Sequence, residues 1–238
     1  MSAYDRIAHL YDPWSVSVVE DVAFYLERAR GTGGPVVELA VGTGRIAIPI
    51  AAEGIRVIGV DSSLGMLSVA LERAQLAGIE VGTGRTLELR YGDLRDPPIE
   101  GGFPLVIIPF RALLHMETDE DRRAALRAVH GLLEPGGSFV FDVFNPGPDD
   151  IAETHARWLE REPGIYERAD WDEKTRTLIL RVRSDGVESE LSLAWISIPE
   201  WRELLGAEGF AVEGLYGWFD ATPWAGHEDA IFVCRRHS

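Results

Sequence analysis

The sequence contains a single cysteine and no long apolar run. Cys234 has no partner within the chain for a disulfide, and it lies in the apolar pattern 230–234, where a buried, unreactive thiol is expected. No stretch of eighteen apolar residues occurs, and the first residues lack the basic-then-apolar order of a signal peptide. We therefore expect a cytoplasmic protein that does not use a membrane as its partner.

Basic residues are scarce relative to acidic ones. The chain has 23 Lys and Arg against 39 Asp and Glu, which gives a formal net charge of −16. A surface of this sign repels phosphate backbones and anionic lipids, so nucleic acid is not an expected partner and a small-molecule substrate is favoured. With 238 residues, 46% of them hydrophobic, the chain can form one large or two small domains with a substantial core.

A strand, a glycine-rich turn and a helix follow one another between residues 36 and 48. The apolar start is typical of a buried parallel strand, Glu38 lies near its end, and Gly42 and Gly44 form the turn. Glycine permits positive φ and lacks a Cβ, so the backbone can approach a ligand closely. The first amides of the next helix then point at whatever is bound, as in a nucleotide-binding loop.

The same five residues, Val-Gly-Thr-Gly-Arg, recur at 81–85. This second copy follows the predicted helix 64–77 and precedes the predicted strand 86–91, so it connects two elements. Gly82 and Gly84 are predicted to be turn glycines without a ligand.

Strand and helix patterns alternate up to residue 144. The predicted strands are 35–40, 56–60, 86–91, 104–109 and 138–144, and the predicted helices are 45–53, 64–77 and 119–133, followed by a stop and turn at 134–137. Alternation of this kind predicts a mainly parallel sheet between two helical layers, with ligands beyond the carboxyl ends of the strands. Those ends carry Glu38, Asp61, Asp93 and Pro109-Phe110-Arg111.

The alternation stops at Asn145. A weak helix over 149–158 and three β segments, 164–172, 176–184 and 188–197, with Asp185-Gly186 as a hairpin turn, predict an antiparallel insert over 146–197. Residues 1–145 and 198–238 then form the main domain. It is completed by the predicted helix 199–208 and strands 209–217 and 229–236, the last of them antiparallel.

Together these motifs resemble the class I S-adenosylmethionine-dependent methyltransferases, and the resemblance covers nearly the whole chain outside the insert. Its carriers are Glu38-Leu39-Ala40-Val41-Gly42-Thr43-Gly44, Gly59-Val60-Asp61-Ser62-Ser63 with Met66-Leu67, Gly92-Asp93-Leu94 and Leu133-Glu134-Pro135-Gly136-Gly137. The layout resembles small-molecule N-methyltransferases of the amino-sugar type that carry a β insert. The resemblance implies an α/β fold with a doubly wound, mainly parallel seven-stranded sheet, and methyl transfer to a nitrogen or oxygen nucleophile. Ala40 stands where the family usually has glycine or a similarly small residue.

The resemblance also implies S-adenosylmethionine as cofactor and a role for each matching residue. By analogy Asp61 binds the ribose hydroxyls, Asp93 binds the adenine amino group with the Leu94 amide nearby, and Glu38 organises the loop and the ammonium end. Further cofactor contacts are implied for Tyr11, Ala40, Gly42, Gly44, Arg45, Ser62, Met66, Gly92, Pro109 and Phe110.

His115 is the candidate general base, with Tyr11 as a second candidate catalytic residue and His227 as a weaker one of the same kind as His115. The alternative role for His115 is packing, or capping the helix predicted at 119. Tyr4, Tyr11 and Trp14 either form a flap over the glycine loop or staple the N-terminal helix to the sheet, and the aromatic residues alone favour the staple. No His, Cys and Asp spacing supports a metal site.

Two other functions fit parts of the sequence. Residues 42–47 also match the dinucleotide fingerprint of an NAD-dependent oxidoreductase. Glu38 argues against this function because a carboxylate just before the turn would oppose a pyrophosphate. Asp93, a carboxylate at a third strand end, argues against it as well. A non-catalytic cofactor-binding protein on the same fold is the other alternative. The aromatic residues of the insert either line a substrate pocket or form its core, and the insert is also a possible homodimer interface. These residues are Trp158, Tyr166, Trp171 and Trp195.

Overall fold

Two β-sheets organise the chain in a computed structural model that describes residues 2–15, 19–226 and 228–237. The strands are β1 (Val36–Leu39), β2 (Val57–Asp61), β3 (Leu87–Tyr91), β4 (Phe103–Ile108), β5 (Leu133–Phe144), β6 (Trp158–Glu162), β7 (Ile165–Asp172), β8 (Thr177–Ser184), β9 (Val187–Ala194), β10 (Phe210–Tyr216) and β11 (Asp229–Arg236). The helices are α1 (Ala8–Trp14), α2 (Glu20–Thr32), α3 (Ala47–Ala52), α4 (Leu64–Leu76), α5 (Asp119–Leu132), α6 (Pro148–Thr154) and α7 (Ile198–Ala207).

The larger sheet has seven strands in the order β10-β11-β5-β4-β1-β2-β3. The strands from β1 to β5 pair in parallel, and β11 lies antiparallel between β5 and β10. The predicted fold class and the antiparallel last strand are therefore confirmed. The strand order reverses beside β1, because the chain runs outward to β3 and then returns to β4 on the other side.

Alternating side chains of the central strands pack on opposite faces of this sheet. On one face Phe139 and Phe141 of β5 join a buried cluster with residues of α5 and α7, including Trp201. On the other face Val140 packs in a second cluster with residues of α2, α3 and α4. This double coverage explains why β1, β2 and β4 are apolar almost throughout, since both faces of each strand lie in the core.

The insert forms a separate antiparallel sheet in the order β6-β7-β8-β9. It has four strands where the sequence predicted three, because the predicted helix 149–158 ends at Thr154 and β6 begins at Trp158. The sequence did not indicate β6 because three of its five residues are charged and no residue of it is fully buried, so apolar and polar residues do not alternate along it. The last strand ends at Ala194, before position 197, because Ser197 caps the N-terminus of α7.

The predicted stop and turn at 134–137 lies inside β5. Leu133 pairs with Phe103 and Ser138 pairs with Leu105, so the residues between them form an irregularity in the β4–β5 ladder. The second Val-Gly-Thr-Gly-Arg copy connects α4 to β3, as predicted for a turn.

Two of the four aromatic residues of the insert pack in its core. Trp195 is buried and packs against Trp171 and Phe144, so these two tryptophans contribute to the core. The ring of Trp158 lies 4.0 Å from the Arg183 guanidinium. Cys234 is fully buried, and burial raises the pKa of its thiol, as expected for an unreactive cysteine. Within the described ranges, no helix combines the length and apolar character needed to cross a bilayer.

We expect Trp201→Ala to lower the free energy of unfolding by about 3–5 kcal/mol, because this side chain is fully buried and its removal leaves a cavity beside Phe141. Trp218→Ala is the matched control, since that ring is 38% exposed, and it should cost about 1 kcal/mol or less. Urea unfolding followed by circular dichroism measures both. Equal losses for the two variants would contradict the assignment of Trp201 to the core.

Candidate functional site

Two cavities lie beyond the carboxyl ends of the strands beside β1, where the strand order reverses and ligands bind in open α/β sheets. The first, which we call the glycine-loop cavity, measures about 70 Å³ and is lined by residues that follow β1, β2 and β4. The second, the insert cavity, measures about 590 Å³ and lies between the main sheet and the insert. Ligand pockets usually measure about 300–1,000 Å³, so the glycine-loop cavity is smaller, and the insert cavity is within this range.

Most of the sequence-predicted site residues meet at the glycine-loop cavity. Its lining includes Tyr11, Glu38, Ala40, Gly42, Arg45, Asp61, Met66, Pro109, Phe110 and His115. The remaining predicted residues are not among those that line it. These are Gly44, Ser62, Gly92, Asp93 and Leu94.

Asp93 lies outside the cavity because it follows β3, the edge strand, two positions away from β1. Its carboxylate is 44% exposed and pairs with Arg95 at 2.6 Å, which together with backbone bonding lowers the pKa of Asp93. The predicted contact between Asp93 and an adenine ring therefore remains a prediction.

Positive φ angles shape the glycine loop. Ala40 adopts φ 59° and Gly42 adopts φ 55°, so the position where the family usually has glycine does take a left-handed conformation. The amide of Gly42 donates to the Asp61 carboxylate at 2.8 Å, and the amide of Ser63 donates to its other oxygen at 2.8 Å. Burial raises the pKa of Asp61 against these hydrogen bonds. Asp61 therefore joins the end of β2 to the glycine loop.

Glu38 presents a buried carboxylate to the same cavity. It is 1% exposed, and its Oε2 forms no hydrogen bond with the described part of the chain. Burial raises the pKa of Glu38 well above its ordinary value, against the opposing charge of Arg45. An unpartnered buried acceptor is costly, so this oxygen is suited to a cationic or hydrogen-bond-donating ligand.

Arg45 is held by a residue that the sequence did not indicate. Asp21, at the start of α2, is fully buried and accepts two hydrogen bonds from the Arg45 guanidinium, both at 2.6 Å. The guanidinium carbon lies 4.8 Å from the centre of the Phe110 ring. This bidentate pair orients Arg45 along the wall of the glycine-loop cavity.

A second unpredicted carboxylate supports the turn after β4. Asp142 accepts hydrogen bonds from the Phe110 amide at 2.8 Å, the Arg111 amide at 2.9 Å and the Tyr25 hydroxyl at 2.6 Å. Phe110 and Arg111 adopt φ 58° and 61°, an uncommon conformation for bulky residues. Burial raises the pKa of Asp142 to about 6. The available sequence signal was one acidic residue inside the apolar run 139–144.

The N-terminal segment, residues 2–15, closes over both cavities. Its Asp5 accepts from the Ser63 hydroxyl at 2.6 Å, and its Asp12 accepts from the Thr43 hydroxyl at 2.6 Å, which ties the segment to the glycine loop and α4. Tyr4 and Tyr11 line the glycine-loop cavity and the insert cavity. The structure therefore favours the flap over the staple for these two rings.

His115 and Tyr4 form a hydrogen-bonded pair between the cavities. The Nδ1 atom of His115 lies 2.9 Å from the Ser192 carbonyl, which only accepts, so Nδ1 carries the proton. Nε2 then accepts from the Tyr4 hydroxyl at 2.8 Å. Burial lowers the pKa of His115 and raises that of Tyr4, so both are neutral near pH 7. The side chain that caps α5 is Thr118, so the capping role for His115 is wrong.

Four side chains, Tyr4, Tyr11, Phe110 and His115, line both cavities and form their shared wall. Trp14 lies on the insert side, where its indole N–H donates to Glu167 at 2.8 Å. His227, the weaker candidate base, lies outside the described residues. Across the ranges 2–15, 19–226 and 228–237, no group of three His, Cys, Asp or Glu side chains is placed to hold a metal ion.

The raised pKa of Asp142 predicts a pH-dependent stability. Because the folded protein binds this proton more tightly than the unfolded chain, the contribution of Asp142 to stability declines as pH rises from about 4 to about 6. The free energy of unfolding of the wild type, minus that of Asp142→Asn, should fall by about 2 kcal/mol between about pH 4.5 and about pH 7.5. Urea unfolding across this range measures the difference, and a difference that is constant with pH would contradict the assignment.

Comparison with known proteins supports the interpretation from geometry. Residues 36–137 match the methyltransferase domain family. The chain is 24% identical to a cypemycin N-terminal methyltransferase from a Streptomyces species over 241 residues, which cover 98% of this chain and 94% of that protein.

Solved structures show the same fold. The CcbJ methyltransferase from Streptomyces caelestis is 25% identical, with a TM-score of 0.76 over 91% of this chain and 94% of that one. An S-adenosylmethionine-dependent methyltransferase from Clostridium acetobutylicum is 16% identical, with a TM-score of 0.80 over 100% of both chains. The matched domain and the shared fold agree: residues 36–137 belong to the methyltransferase domain family, and the chain has the fold of S-adenosylmethionine-dependent methyltransferases.

Proposed function

We propose that this methyltransferase binds S-adenosylmethionine at the glycine-loop cavity and transfers its methyl group to a nitrogen of a small-molecule acceptor in the insert cavity. The observation that supports the proposal is the shared wall, because four side chains border both cavities and ligands bound in the two would lie side by side. The relative described as an N-terminal methyltransferase supports nitrogen as the acceptor atom.

The residues of the glycine-loop cavity fit this cofactor. When bound, S-adenosylmethionine supplies a methyl group that is activated by a positively charged sulfur. The unpartnered Glu38 oxygen and the Asp61 carboxylate suit the donors and positive charges of such a molecule, which carries no phosphate. The same two carboxylates oppose the pyrophosphate of NAD, which weakens the oxidoreductase alternative.

The shared wall also offers a route for a proton. An acceptor amine that enters protonated has no free lone pair, so its nitrogen must lose a proton before the nitrogen–carbon bond forms and the carbon–sulfur bond breaks. We propose that the Tyr4 oxygen accepts it while the Tyr4 hydroxyl proton passes to Nε2 of His115, which is already oriented as an acceptor. His115 later returns a proton to solvent. The remaining contribution is positioning at near-attack distance with water excluded, which can supply about 7–11 kcal/mol.

Asp61→Ala is expected to weaken cofactor binding while leaving the fold intact, because it removes charge-assisted hydrogen bonds of about 1.5–3 kcal/mol each and releases the Gly42 amide. Calorimetric titration with S-adenosylmethionine, S-adenosylhomocysteine and NAD measures this. Wild type should bind the first two and not NAD. Asp220→Ala, on an exposed loop, is the matched control. Binding of NAD alone by the wild type would overturn the proposal, and wild-type affinity in Asp61→Ala would remove Asp61 from the site.

His115→Ala and Tyr4→Phe are expected to lower turnover by about 10²-fold or more with little change in cofactor affinity, because each breaks the proton route. Wild-type turnover should fall on the acid side, below the ordinary pKa of histidine, as His115 becomes protonated, and should be flat above it. Formation of S-adenosylhomocysteine across a panel of amine acceptors gives the profile. If turnover of His115→Ala falls at acid pH in the same way as that of the wild type, His115 has a structural role and does not carry the proton.

A further inference from the structure

We infer that the acceptor is an organic cation, with a largely apolar body, a net positive charge and no phosphate group. The inference rests on the proposed function, since it takes the insert cavity as the acceptor site. It adds the chemical class of the acceptor to that proposal. The described lining of the cavity combines an apolar wall, carboxylates without an ion-pair partner, and arginines that already pair with carboxylates.

The apolar wall comes mainly from the insert sheet. Leu178, Leu191 and Leu193 of β8 and β9 line the cavity, together with Trp171 of β7 and Phe144 at the end of β5. The Trp171 and Phe144 rings pack edge to face at 5.6 Å, so this part of the wall is preformed. A wall of this kind stabilises hydrocarbon or aromatic surface and offers little to a ligand covered with hydroxyl groups.

Three carboxylates of the lining are not neutralised. The side chains of Glu153, Glu162 and Glu228 form no hydrogen bond or ion pair with other described residues. Glu228 is partly buried, and burial raises its pKa against the opposing charge of Arg111, while the nearby Asp229 and Asp150 raise it further. The Glu228 carboxylate lies beside other carboxylates and has no ion-pair partner among the described residues, so a bound cation would stabilise its charged form.

The two arginines among the described lining residues are both engaged by carboxylates. Arg111 pairs with Asp229, and its guanidinium lies 5.3 Å from the centre of the Phe144 ring. Arg161 pairs with Glu167 at 2.8 Å. A phosphate in the cavity would have to displace one of these partners and face the free carboxylates as well. Phosphorylated and nucleotide-linked acceptors are therefore disfavoured.

The aromatic residues on the cofactor side of the cavity suit the same ligand. Tyr4, Tyr11 and Trp14 line it, and aromatic faces attract organic cations by roughly 0.5–2 kcal/mol each. Apolar, acidic and aromatic parts of the wall thus favour one chemical class, an amphiphilic amine that is protonated when it enters.

The test uses two sets of ligands that share a body and differ in the charged group: 4-phenylbutylamine, 4-phenylbutanol and 4-phenylbutyl phosphate, and octylamine, octanol and octyl phosphate. Each is titrated by calorimetry into the full-length protein saturated with S-adenosylhomocysteine, so that no turnover is needed. Each amine should bind at least tenfold more tightly than its phosphate and more tightly than its alcohol. The preference should shrink as NaCl is raised, because salt screens the carboxylates.

Two charge-removing variants, Glu162→Gln and Glu228→Gln, locate the preference in the insert cavity. Each should reduce the ratio of amine to alcohol affinity by about threefold to tenfold, the effect of one partly screened charge pair. Glu173→Gln, on the exposed hairpin between β7 and β8, removes the same charge away from the cavity and should leave the ratio unchanged. If no amine binds more tightly than its neutral and phosphorylated partners, or if Glu173→Gln acts like the other two variants, the inference is wrong.

A separate assay of S-adenosylhomocysteine formation distinguishes this inference from the proposed function. Amine-selective binding without methyl transfer to any amine would overturn the proposed function and leave the charge selection of the cavity intact. Methyl transfer to a phosphorylated or neutral acceptor in preference to the matched amine would support the methyltransferase assignment and overturn the inference.

Discussion

The arrangement of the two cavities depends on the hydrogen bonds that one buried carboxylate accepts. Asp142 holds the amides of Phe110 and Arg111, two bulky residues in the left-handed region that persist there only because their surroundings compensate. Phe110 lies in the wall of both cavities and Arg111 in the wall of the insert cavity. The same carboxylate therefore supports the boundary between the two cavities, although its own side chain is not part of either lining.

Negative charge predominates both in the whole chain and in the two cavities. The chain has a net charge of −16, the glycine-loop cavity contains Glu38 and Asp61, and the insert cavity adds further carboxylates. Burial of a carboxylate is unfavourable, and it is the main reason why the pKa of Glu38 is raised well above its ordinary value, with a smaller contribution from the nearby Asp21 and Asp61. An arrangement with this cost is suited to binding cations, since a bound positive charge offsets the repulsion that the apoprotein carries.

The sequence predicted what depends on local order and missed what depends on distant pairs. Glu38, Asp61 and the glycine turn were predictable, because strand ends and turns are encoded by neighbouring residues. Asp21 and Asp142 were not, since their partners lie at least 24 and 31 residues away, and a lone acid in a helix or strand has many possible roles. The sequence offered both a flap and a staple for Tyr4 but could not decide between them, because the contact of Tyr4 with His115 spans 111 residues.

The N-terminal segment connects the two cavities. Its Tyr4 and Tyr11 border both cavities, its Asp12 is bonded to the glycine loop, and its Trp14 is bonded to the insert. If the cofactor binds at the glycine-loop cavity as proposed, any movement of this segment on binding would also change the wall of the insert cavity, because the same side chains border both. By thermodynamic linkage, whatever effect the cofactor has on acceptor affinity, the acceptor has equally on cofactor affinity. The segment is therefore part of both proposed sites, and under the proposed function its position would determine how closely the methyl group and the acceptor approach each other.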